Sequence, residues 1–282
     1  MIARLLLGFS SLILILSVSS AAVCQESKAS LPSAEDVIEQ HLLAIGGFEF
    51  LGGISSIHVA WETVEPGKNW RYEVWQIPGR QFTEMSVSGV VDHYDGVWLA
   101  ESRGDWSKLR GVSWRQNMNN GVTTLRDGDA LQSQLIGACV MAGNLQWRDR
   151  FKSVRCVGVV EIDAVKCYHL KYLGHDDAEM HRYFSIETGY LRRQKQIDYR
   201  MNGVVVTRNY ADHQRFDGVV IPKTQSFSTN KQTVAWKLTT FEYDEEVDVD
   251  LFIIPDVVQV AIDKLNSQSE GEEEPSGRSS HR

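Results

Sequence analysis

What most constrains this chain is repetition at short range. Runs rich in Val, Ile, Thr, Tyr, Phe and Trp recur at 57–63, 69–77, 81–88, 90–94 and 97–102, then at 153–162, 165–173, 179–186, 190–200, 203–213, 219–228 and 233–243. Turn-forming pairs close them, among them Pro66-Gly67, Pro78-Gly79, Asp95-Gly96, Asp163-Ala164, Thr188-Gly189, Asn202-Gly203, Asp217-Gly218 and Asn230-Lys231. Links this short leave no room for the helical crossovers that parallel strands need, so the strands pair antiparallel with their sequence neighbours. A sheet of about a dozen strands has to curl or close to hide its edges. The fold expected is mainly β, a curved antiparallel sheet.

Two stretches break the pattern. Ser33, with Asp36 three residues on, forms a helix N-cap box, and Val37, Ile38, His41, Leu42 and Ile45 then fall on one stripe at helical spacing. Gly46-Gly47 ends that helix, and residues 48–51 can add a further turn. A second helix is expected over 129–142, with Leu131, Leu135, Ile136 and Cys139 on one face. These helices are the available cover for so large a sheet, which makes Val37, Ile38, Leu42, Ile45, Leu131 and Leu135 a candidate helical lid.

Arg4, an apolar run over 5–18 and the small residues Ser19 to Ala22 have the order of a secretory signal, cut before Val23. The expected organisation is therefore a signal peptide over 1–22, a linker over 23–32, one domain over 33–265 and a disordered acidic tail over 266–282 that carries Glu272, Glu273 and Glu274. A periplasmic or secreted location follows. Val23 stands where a lipobox takes Gly, Ala or Ser, which argues against lipid anchoring at Cys24. In an oxidising compartment two of Cys24, Cys139, Cys156 and Cys167 could bridge, and buried free thiols are the competing reading. A hairpin turning at Asp163-Ala164 pairs Cys167 with Val160 and leaves Cys156 too far along for a bridge in that register. Lys and Arg number 29 against 37 Asp and Glu, a net charge of −8, which argues against nucleic acid as a partner.

Alternation along the first strands separates Ile57, Val59 and Trp61 from Ser56, His58 and Ala60, and repeats at Trp70, Tyr72 and Val74. Met85 and Trp98 are expected on the same side. A curved sheet of eleven or twelve strands encloses more space than its own side chains readily fill, so Ile57, Val59, Trp61, Trp70, Tyr72, Val74, Met85 and Trp98 are the candidate lining of an apolar ligand cavity; the competing reading is ordinary core.

Signatures of catalysis are missing. Gly-x-Ser-x-Gly, His-Glu-x-x-His, the phosphate loop and a dinucleotide fingerprint do not occur. His175, Asp176, Asp177, Glu179 and His181 cluster in an expected hairpin turn, where exposed polar side chains are the default and a metal site the lesser reading. His58, Glu62 and Glu84 read as polar residues of strand faces. Arg192, Arg193 and Lys195 form a basic segment that would suit anionic headgroups or an acidic partner. No catalytic residue, metal or cofactor is expected. A hydrolase whose site is assembled from distant residues, and an interaction module that uses an open sheet edge, are the alternatives to a binding protein.

The helix with Gly46-Gly47, Tyr94-Asp95-Gly96 followed by Trp98, Tyr183 through Glu187-Thr188-Gly189-Tyr190-Leu191, Tyr210 to Asp212, Asp217 through Pro222 and the closing Leu251-Phe252-Ile253-Ile254-Pro255 resemble, in order and spacing, the LolA/LolB-like superfamily and its outer membrane lipoprotein-sorting group. The resemblance implies an unclosed β-barrel of about 11–12 strands capped by α-helices. It also implies a non-enzymatic carrier or sensor whose partner is a lipid or an acylated protein, with contact to an envelope membrane.

Overall fold

A computed structural model describes residues 30–101, 109–138, 145, 147–174, 177–198 and 203–271. Its strands are β1 (Ile57–Thr63), β2 (Trp70–Ile77), β3 (Arg80–Val87), β4 (Val90–Glu101), β5 (Arg110–Asn117), β6 (Thr123–Leu125), β7 (Ser153–Ile162), β8 (Val165–Leu173), β9 (Glu179–Ser185), β10 (Leu191–Asp198), β11 (Val204–Phe216), β12 (Val219–Ser228) and β13 (Thr233–Tyr243). All thirteen belong to one sheet in the order β6-β5-β4-β3-β2-β1-β13-β12-β11-β10-β9-β8-β7. Two antiparallel meanders are thus joined where β1 pairs with β13, and the sheet is unclosed because β6 and β7 remain its edges.

The twelve runs become thirteen strands by one merger and two additions. The runs 90–94 and 97–102 are one strand, β4, which passes straight through Asp95-Gly96. Asp95 is held there by Arg115 across the β4–β5 pair, and Trp114 lies over Gly96 so closely that a Cβ would come within 2.0 Å of its ring. A turn pair has become a bed for an indole. β5 and β6 come from the stretch where alternation is weak, with Arg, Gln and Asn among few apolar residues.

The turn at Asp163-Ala164 is as read. Both residues have positive φ, 49° and 63°, as a two-residue hairpin turn requires, and Ile162 pairs with Val165. Cys167 therefore faces Val160 and Cys156 faces Leu170; the two cysteines lie on opposite sides of the hairpin as free thiols. Cys24 and Cys139 lie outside the described residues.

Helix α1 (Ala34–Ile45) starts in the expected box: Ser33 Oγ accepts from the Asp36 amide and Asp36 accepts from the Ser33 amide. It stops at Gly46 and Gly47, whose φ of 149° and 87° turn the chain into α2 (Phe48–Gly53). Val37, Ile38 and Leu42 of α1 and Leu51 of α2 bury themselves with Leu170, Tyr172, Phe184 and Val219. Helix α3 (Gly128–Gly137) ends before Ala138, and 139–142 of the expected 129–142 lie outside the described residues. Its Leu135 is fully buried with Val97, Leu109 and Ala138, and sits where Gly111 has no side chain, since a Cβ there would come within 2.6 Å of it. Short helix α4 (Trp147–Arg150) precedes β7, and a 3-10 turn (Val249–Phe252) and α5 (Asp256–Gly271) follow β13, packing against β3 and β6. Helix α5 continues into the segment from 266 that was expected to be disordered.

Candidate ligand-binding face

Directly paired residues in an antiparallel sheet point to the same side, so the registers sort every strand position between two faces. Trp61 pairs with Tyr72 and Tyr72 with Met85; Val59 pairs with Val74, and Trp70 lies two residues from Tyr72. This is the helix-covered side. Phe241 and Tyr243, opposite Val59 and Ile57, pack into the cluster under α1, and Gln76, opposite Ile57, donates from Nε2 to the Ala138 carbonyl beyond α3 at 2.6 Å. Ile57, Val59, Trp61, Trp70, Tyr72, Val74 and Met85 therefore share the face beneath the helices.

Trp98 does not. Its partner is Arg80, on the opposite face, where the guanidinium carbon lies 5.3 Å from the indole centroid and the Trp is 38% exposed. Because β4 runs unbroken through Gly96, alternation sends Val97 inward under α3 and Trp98 outward. The helical residues all face the sheet: Val37, Ile38, Leu42 and Leu135 are buried, and Ile45 and Leu131 pack half-buried against the same clusters.

Between the α1 and α3 clusters the inner face changes character. Trp61, Trp70, Tyr72, Val74 and Met85 belong to neither cluster, and all but Trp61 are only half-buried. Trp236, not singled out from sequence, completes this band from β13: its ring centroid is 6.4 Å from Trp70 and from Tyr72. The signal for it was the same alternation, since Trp236 and Leu238 are two apart on a strand whose partner residues are Thr63 and Trp61. Large, partly accessible aromatic surface on a helix-flanked wall can hold hydrocarbon by area alone.

One end of the inner face is charged. Asp95 accepts from Arg115 Nε at 2.9 Å and Nη2 at 2.7 Å and from Arg126 at 2.9 Å, with His93 at 3.5 Å. Burial opposes its charge, but hydrogen bonds from His93 and Arg115 and the field of both arginines hold its carboxyl well below the usual range. The Asp95 carboxylate raises the pKa of His93 against its burial, helped by Asp92.

The other sequence candidates are structural. On the outer face His58 bridges Glu73 at 2.7 Å and Glu242 at 2.8 Å while stacked on Trp75, and Arg71 ties Glu73 to Glu62. Burial works against the Glu73 charge, yet hydrogen bonds from Arg71 and His58 leave its pKa lowered. Glu84 accepts from Ser86 Oγ. His41, beneath α1, donates from Nδ1 to the Gly189 carbonyl at 3.0 Å and packs on Phe184; burial lowers its pKa to about 4, so the ring is neutral at pH 7. His175 and Asp176 lie outside the described residues, Asp177 pairs with Lys152, and Glu179 pairs with Lys171. Among the described residues no group of three or more His, Cys, Asp or Glu side chains is arranged to hold a metal ion. In the basic segment Arg193 donates to Asn209, and Lys195 stands opposite His181 on the outer face.

No protein-family model matches this chain, and no curated protein sequence matches it. Solved structures do. A DUF1329 family protein from Desulfovibrio piger is similar with a TM-score of 0.52 at 11% identity, over 78% of this chain and 96% of that one. A putative outer membrane lipoprotein-sorting protein domain from Vibrio parahaemolyticus follows at 0.50 and 8% identity, over 77% and 94%. A LolA superfamily protein from Nitrosomonas europaea aligns at 0.48 and 11% identity, over 79% and 99%. The unclosed antiparallel sheet with its helical cover is thus the fold of the DUF1329 family protein and of the putative lipoprotein-sorting domain.

Proposed function

We propose that this chain is a non-enzymatic carrier or sensor that holds the hydrocarbon of a lipid or an acylated protein against the inner face of its sheet, outside the cytoplasm once residues 1–22 are removed. One observation carries the reading: the band of Trp70, Tyr72, Val74, Met85 and Trp236 is aromatic and aliphatic, faces the helices, and is left half-buried between two clusters that it does not join. Apolar surface that the protein's own core leaves partly accessible is surface available to a ligand. The fold shared with a putative lipoprotein-sorting domain supports the same reading. No covalent chemistry is asked of any residue.

Native mass spectrometry of protein purified without detergent tests this. Wild type is expected to carry lipid-sized adducts or to take up dodecanol on titration. Tyr72→Glu, which places a charge in the band at a half-buried position, should lose most of that loading, whereas Trp98→Glu, on the outer face, should keep it. Equal loading of wild type and Tyr72→Glu would remove the band from the ligand site.

A further inference from the structure

The inner face also carries cations where the registers leave a net positive charge. Leu170 on β8 pairs with Arg182 on β9, Arg182 with Gln194 on β10, Gln194 with Arg208 on β11, and Arg208 with Phe227 on β12. This row lies on the helix side, since Leu170 is in the cluster under α1. The arginines are preorganised by flat contacts: Arg182 sits 5.2 Å over the Tyr172 ring and Arg208 5.5 Å over the Phe227 ring. Arg182 Nε donates to Gln194 Oε1 at 3.0 Å, and Gln194 is itself fastened to Gln196 at 2.7 Å.

Countercharge is short. Asp198 stands 3.8 Å from Arg208 Nη2, and among the described residues no carboxylate pairs with Arg182. A chain of net charge −8 has no general excess of cations to distribute inward. Half-buried guanidinium groups cost desolvation energy that an incoming anion would offset, and a pair of arginines two strands apart, about 10 Å between backbones, can grip one oxyanion from both sides. Trp236 lies two strands and one dipeptide from Arg208, about 12 Å, so headgroup and hydrocarbon contacts fall within reach of one amphiphile.

We propose that Arg182, Gln194 and Arg208 form an oxyanion subsite that takes the phosphate or carboxylate headgroup of an amphiphile whose hydrocarbon lies along the aromatic band. This rests on the carrier reading for the hydrocarbon but not for the anion. The test is isothermal titration of the full-length mature protein with dodecyl phosphate, dodecanol and inorganic phosphate at pH 7.5 and fixed salt. Wild type is expected to bind dodecyl phosphate at least about tenfold more tightly than dodecanol. Arg182→Gln with Arg208→Gln should abolish that preference and leave dodecanol binding unchanged, while the Lys double variant retains part of it. Gln196→Glu, which adds a carboxylate beside Gln194 on the same face and three strands from Trp236 without removing an arginine, should weaken dodecyl phosphate alone and serves if the double variant misfolds. Equal affinity of wild type for dodecyl phosphate and dodecanol would overturn the subsite and leave the carrier standing. Arginine-dependent binding of inorganic phosphate without any binding of dodecanol would support the subsite and overturn the carrier. Binding of none of the three would overturn both.

Discussion

At the scale of single residues, polar side chains on this sheet are tied down by neighbours of opposite kind, and a few are held in an unusual protonation state. His41 is the clearest case. Its imidazole sits under α1 against Phe184, and burial lowers its pKa to about 4 from 6.5, outweighing the hydrogen bond to Gly189. The unfolded chain therefore binds a proton between about pH 6.5 and 4 that the folded chain does not, so stability is full above 6.5 and falls as pH drops through that window. The expected loss from this residue is about 3 kcal/mol by pH 4. Urea melts from pH 7.5 to 4.5 should show it, and His41→Gln should flatten the slope; an unchanged slope would mean that His41 does not titrate in this range. His213, also lowered to about 4 by burial and the field of Arg192, contributes in the same direction.

At the scale of elements, the helices are attached by small interlocking features. The Ser33–Asp36 box starts α1, and Leu135 anchors α3 in the space over Gly111. Leu135→Ala should cost about 2–5 kcal/mol, because it empties a fully buried site lined by Val97, Leu109 and Ala138, and thermal denaturation would measure it. A cost under about 0.5 kcal/mol would show that α3 is loosely seated. Most of this scale was legible in the residues. The box, the glycine stop, the Asp163-Ala164 turn and the alternation of β1 and β2 are local rules, set by capping chemistry and by the pleat. Where tertiary contact outranked a local rule, reading failed: Asp95-Gly96 has turn composition, yet Arg115 and Trp114 from the next strand hold it extended.

At the scale of the whole molecule, two meanders share one sheet, and the middle of its inner face is covered by neither helical cluster. If hydrocarbon lies there, affinity should follow buried length. Each methylene contributes about 0.8 kcal/mol, so binding of a series of n-alcohols should tighten about fourfold per added carbon until the band is covered and then level off. Affinity independent of chain length would argue for a headgroup-only or protein ligand. Among the described residues no helix is long and apolar enough to cross a membrane.

The residues by themselves determined that the chain would be a long antiparallel meander with a capped helix ahead of it, because pleat, turn and cap obey rules that act within a few positions. Which side each residue of β4 faces, that Trp236 would stand beside Trp70 and Tyr72, and that Arg182 and Arg208 would flank Gln194 were decided only by strand pairing. Trp70 and Trp236, more than 150 positions apart along the chain, meet there through the β1–β13 register. Pairing energy depends on the whole neighbouring strand, and no local window contains it.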